Sequence, residues 1–137
     1  MKTPFFLIAI CFMIFSCSDD VDDNREPDIV GEWKLVEIYD GYVHGGNFTW
    51  TAVPNTYSKI IRFTSDGQYF EDINSEGTQR ECTGTYRLLP DNRLEIESSC
   101  QTVLVHREME LAQRTLIFNI QVIEGVIKEK YSLINPK

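Results

Sequence analysis

Long apolar runs are scarce in this 137-residue chain. The longest, Phe5 to Ile14, has about ten residues, half of the roughly 20 that a membrane span requires. After residue 28 no stretch keeps an apolar stripe at helical period, which argues against a helical architecture. Basic residues number 13 against 21 acidic ones. They form no stripe and do not interleave with aromatics, so no nucleic acid partner is expected. There are only two histidines, His44 and His106. Neither has ligand-like spacing to a cysteine, so no metal site is expected. Serine, histidine and acid fall into no nucleophile motif, and the chain is not expected to be an enzyme or to need a cofactor.

The apolar run has a second meaning. It follows Met1-Lys2-Thr3-Pro4, one cation near the start, and leads to Phe15-Ser16-Cys17. A short cationic start, an apolar stretch and a small residue before a boundary make a secretory signal. Ile14-Phe15-Ser16-Cys17 resembles the lipobox of bacterial lipoproteins, although Phe15 is bulkier than the pattern usually carries. The resemblance implies a signal peptide over residues 1–16 and acylation of Cys17 with palmitate-type chains. Ser18-Asp19-Asp20-Val21-Asp22-Asp23 resembles the export signal of Bacteroidetes-type surface lipoproteins. It implies an outer-membrane, lipid-anchored, cell-surface location, with the membrane as a partner through the anchor. An ordinary signal peptide followed by a solvated tether is the plainer alternative. Residues 17–28 hold six acidic groups and one arginine, with little to bury, so they read as a flexible tether.

Residues 29–137 then form the single domain, large enough for a core. Its charges are fifteen acidic and eleven basic, so much of the formal −8 belongs to the tether. Once Cys11 and Cys17 are set aside, Cys82 and Cys100 remain in a chain exported to an oxidising space. Cys82, Gly84, Tyr86 and Leu88 share one face of a strand pattern, and Leu94, Ile96, Ser98 and Cys100 share one face of the next. The turn Leu89-Pro90-Asp91-Asn92-Arg93 joins them. Pairing Leu88 with Leu94 brings Tyr86 to Ile96, Gly84 to Ser98 and Cys82 to Cys100. A cross-strand disulfide is the expectation, with two buried thiols or a metal pair as the alternatives. A slip of one residue would put the sulfurs on opposite faces.

Period two runs through the rest. Strand patterns cover Trp33–Tyr39, Lys59–Phe63, Gln68–Ile73, Val103–Ala112, Thr115–Gln121 and Val126–Ile134, with Thr64-Ser65-Asp66-Gly67 as a hairpin turn. Seven or eight strands with short turns predict an all-β chain folded as one antiparallel up-and-down barrel. Ile29-Val30-Gly31-Glu32-Trp33-Lys34-Leu35 resembles the Gly-x-Trp opening of lipocalin-type barrels. The segments Phe63–Phe70, Cys82–Tyr86 and Glu129–Leu133 follow the order seen in bacterial lipocalin-like lipoproteins. The resemblance implies a lipocalin-like barrel of about eight strands, with Trp33 packed across its closed end. The end at Asn135-Pro136-Lys137 departs from that family, because it carries no helix pattern. A barrel of this size is either filled by its own side chains or holds one small ligand.

Candidate ligand-binding residues follow from this frame. Asp40 to Thr56 is long and glycine-rich, and Tyr42, Phe48 and Trp50 within it could form a lid over an apolar ligand. Alternatively, Phe48 and Trp50 belong to a further strand and complete the core. Tyr86, Ile96, Phe118 and Tyr131 have inward parity. Gly84 opposite Ser98 either leaves room or bends the sheet. Arg107 shares parity with Val105 and Met109, so it either meets a ligand carboxylate or snorkels out at the barrel end. Glu95/Glu97 and Glu108/Glu110 read as outward faces, and His106 as solvated. Two functions are consistent with this pattern. One is a surface carrier of a small apolar or amphipathic ligand. The other is a module that binds a macromolecule, such as a protease or lysozyme inhibitor, through the glycine-rich segment.

Overall fold

The computed structural model describes residues 28–136. The expected signal peptide, the lipidated Cys17 and all of the tether except Asp28 lie outside the described residues. Among the described residues every regular element is a strand: β1 (Gly31–Tyr42), β2 (Trp50–Ala52), β3 (Tyr57–Phe63), β4 (Gln68–Ser75), β5 (Thr78–Leu89), β6 (Arg93–Ser98), β7 (Val105–Ala112), β8 (Thr115–Val122) and β9 (Gly125–Pro136). Neighbours are antiparallel, and β1 pairs with β9 from Gly31–Pro136 to Tyr42–Gly125. The sheet therefore closes as an up-and-down barrel of eight strands, consistent with a lipocalin-like barrel.

β2 is the additional strand. The edge of β1 that faces away from β9 pairs first with β3, from Gly31–Phe63 to Lys34–Ile60, and then with β2, from Glu37–Ala52 to Tyr39–Trp50. Pro54, which has no N–H to donate, stands in the break between the two partners. At the same level β1 carries a bulge against β9 between Leu35 and Glu37. The extra residue, Val36, reverses inside and outside for the rest of the strand.

Alternation explains which residues fill the barrel. Trp33 and Leu35 on β1, Ile61 and Phe63 on β3, Leu94 and Ile96 on β6, Leu116 and Phe118 on β8 and Tyr131 on β9 are buried in one cluster. They concentrate at the end where β1 begins. There Ile29 tucks under the barrel, and its carbonyl accepts a 2.8 Å hydrogen bond from Trp33 Nε1. That end is closed by protein. The hairpin turn at residues 64–67 also lies there, with Gly67 at φ 83°, a conformation that side chains other than glycine resist.

The β5–β6 register is Gly84–Ser98, Tyr86–Ile96 and Leu88–Leu94, as the sequence pattern required. Cys82 and Cys100 form a disulfide, with Cα atoms 5.5 Å apart. Cys100 sits one turn beyond the end of β6, so the bridge ties strand to loop and not strand to strand. A Cβ on Gly84 would run into the Glu97 carbonyl oxygen. The small residue therefore serves the close approach of two backbones and does not open a space.

Candidate functional site

The opposite end of the barrel is open, and its filling changes from apolar to charged. Going from closed to open end along β3, inward positions run Phe63, Ile61, Lys59. On β4 they run Tyr69, Glu71, and on β9 Tyr131, Glu129. Parity that buries an aromatic also turns its charged neighbour inward. Lys59 Nζ lies 3.1 Å from Glu129 and 3.9 Å from Glu71, and these three side chains are only 12–17% exposed. The Tyr131 hydroxyl donates to Glu129 at 2.7 Å, and the Tyr69 hydroxyl donates to Glu71. One cation, two carboxylates and two phenols thus form a hydrogen-bonded cluster at mid-barrel. Burial first, and then the neighbouring carboxylates, push both phenols well above the ordinary tyrosine range, Tyr69 by Glu71 and Tyr131 by Glu129. Both stay protonated and act as donors.

These five side chains also line a cavity of about 180 Å³. Ile61, Ile96, Val105 and Phe118 supply its apolar wall, and Arg80, Arg107 and Gln101 stand toward its mouth. The wall is parted beside it. Pairing of β7 with β8 starts at Glu108–Asn119, so Val105–Arg107 and Ile120–Val122 are not paired to each other. Arg107 therefore lies beside a gap as well as over the cavity.

The structure separates the candidates read from the sequence. Arg107 and Phe118 line the cavity, together with Ile96 and Tyr131. Tyr86 belongs to the closed end: its hydroxyl donates to the Thr64 carbonyl at 2.8 Å, and its ring meets Phe63 edge-on at 4.9 Å. Trp50 is on the outer wall. Its ring lies 5.7 Å from Tyr39 and carries Lys130 Nζ at 4.2 Å. Tyr42 ends β1 at the rim, with its hydroxyl 3.4 Å from Glu124. Phe48, exposed and at φ 52°, faces a shallow furrow outside the barrel with Tyr39 and Val126. None of residues 40–56 lines the cavity. That segment folds back on its own strand, with Phe48 N–H donating to the Asp40 carbonyl at 2.9 Å. His44 and His106 are both largely exposed, near Glu124 and Glu95 respectively.

Lys59, Glu71 and Glu129 are the site residues that sequence reasoning missed. Their signal was parity: each stands two positions from an inward aromatic or aliphatic residue. Among the described residues no three side chains of histidine, cysteine or acid come together as a metal site. The chain matches no family model, no curated protein and no solved structure.

Proposed function

We propose that the protein is a surface-anchored binding barrel that takes a small amphipathic ligand into the open half of its lumen. The cavity carries this reading. One side of its wall is apolar, and the charged cluster of Lys59, Glu71 and Glu129, with Arg80 and Arg107, supplies much of the rest. Its volume of about 180 Å³ is below the roughly 300 Å³ at which pockets for drug-sized ligands begin. That favours a compact ligand over a long acyl chain. The function is binding and not catalysis, since both lumen carboxylates are held by Lys59 and by tyrosine hydroxyls. The location rests on the lipobox at Cys17 and the acidic residues after it, a resemblance to bacterial lipocalin-like lipoproteins.

Native mass spectrometry of protein purified from the cells that make it tests the reading. A retained small molecule is expected, and Val105→Phe, which fills the cavity from its edge, should displace it. If nothing is retained and no small probe shifts the resonances of Ile96 or Phe118, the lumen is not a ligand site. Cys17→Ala should release the protein from membranes, and continued membrane fractionation would remove the anchor.

One observation favours a second reading, a module for a macromolecule. Tyr42, at the end of β1, and Val43, Phe48, Val103, Leu104 and Ile123, on open-end connections, are exposed. An apolar rim of this kind is a feature of interaction surfaces. Retention of a protein partner that is lost on Ile123→Glu, with the lumen empty, would select this reading over the first.

A further inference from the structure

Three cations reach the cavity, Lys59, Arg80 and Arg107, and they are not equivalent. The charge of Lys59 is taken up by Glu129 and Glu71. Among the described residues neither arginine has a carboxylate at ion-pair distance. Three cations against the two carboxylates Glu71 and Glu129 leave one positive charge in the lumen. It lies over a wall of Ile61, Ile96, Val105 and Phe118. Arg80 is exposed and Arg107 half-buried, so the excess charge weighs most at Arg107, where one anionic group would supply the missing partner. The guanidinium is also the side chain that grips a carboxylate through two parallel hydrogen bonds.

Size narrows the class. A benzene ring occupies a cavity on the order of 150 Å³, so about 180 Å³ is volume enough for one ring, with apolar wall on one side of it. There is room for one ring, or a chain of similar bulk, below the charged group. Building on the lumen as a ligand site, we infer that the barrel selects a small monocarboxylate, aromatic or short-chain aliphatic, held by Arg107 with its apolar part against Phe118 and Ile96. Arg80 stands at the mouth as a second cation and keeps the field there positive.

Benzoate, benzyl alcohol and benzylamine share a ring and differ in charge, and they separate the possible outcomes. Each is titrated into the purified, disulfide-bonded protein while the resonances of Ile96 and Phe118 are followed. Benzoate should bind about tenfold more tightly than benzyl alcohol, the gain expected of a charged hydrogen-bonded group, and benzylamine most weakly. Arg107→Gln should remove that preference and leave benzyl alcohol within about twofold, while Arg107→Lys should restore part of it. Equal binding of benzoate and benzyl alcohol would overturn the carboxylate assignment and leave the lumen site standing. So would a benzoate preference that survives in Arg107→Gln. If none of the three compounds moves the lumen resonances, the carboxylate assignment and the lumen site fail together.

Discussion

A phenol buried against a carboxylate loses far more by giving up its proton than a phenol in water does. Tyr69 and Tyr131 are in that position, held up by burial and by Glu71 and Glu129. Unfolded tyrosine ionises near pH 10. Above that pH the unfolded chain binds fewer protons than the folded one, so stability falls as pH rises. The stabilisation is fully present below about pH 10 and declines continuously above it, since the folded pKa values lie higher still. Absorbance at 295 nm should therefore show two of the six tyrosines ionising only together with loss of the β-sheet signal. Six tyrosines titrating before unfolding would contradict the cluster. Lys59 holds the other side of it. Lys59→Met leaves two inward carboxylates facing each other, and breaking a buried ion pair costs about 3–5 kcal/mol. Because these groups keep some exposure, about 2 kcal/mol is expected by urea titration, and Glu129→Gln on that background should recover part of it.

Strands are where the sequence was most readable, and also where it failed in a particular way. Tyr86, Ile96, Leu88 and Leu94 fixed the β5–β6 register because both strands alternate without interruption, and the disulfide followed from it. β2 was legible only as an alternative, a further strand through Phe48 and Trp50. Trp50 does open a strand of three residues, Trp50–Ala52, but Phe48 lies outside it and neither ring joins the core. The face of Trp50 could not be read either, because the bulge at Val36 reverses the parity of β1 and a bulge leaves no mark in a period-two pattern. Lys59, Glu71 and Glu129 were passed over for a different reason. A charge within an alternating strand is ordinarily its solvated face, and the other orientation is tolerable for these three because Lys59 meets both Glu71 and Glu129. Two predictions belong to this scale. Closing a loop of about nineteen residues contributes about 3 kcal/mol by the chain-entropy argument, so reducing Cys82–Cys100 should lower the urea-derived stability by that amount. The parted wall should also appear in hydrogen exchange. Amides of Val105–Arg107 and Ile120–Val122 that face the gap should exchange faster than those of the paired Glu108–Ala112 stretch. Equal protection would mean that β7 and β8 zip to the rim in solution.

Closure is what turns these strands into one cooperative object. β1 and β9 come from opposite ends of the described residues and pair along their full length, so the lumen exists only when the last strand has joined the first. The Lys59–Glu129 contact also spans β3 and β9, with β1 between them. A ligand held in that lumen contacts β6, β7 and β8 and meets a wall that the unfolded chain does not possess. It must then stabilise the whole barrel by mass action. At a hundredfold excess over its Kd the gain is about 2.7 kcal/mol. Benzoate at such a concentration should shift the urea midpoint upward with the slope unchanged, since the surface exposed on unfolding stays the same. In Arg107→Gln, where benzoate is expected to bind about tenfold more weakly, the same addition should give only about 1.4 kcal/mol, roughly half the shift. A ligand bound only on the outer furrow or at the exposed rim could also raise the midpoint of the wild-type chain. It would raise the midpoint of Arg107→Gln equally, and that equality would move the binding site out of the barrel.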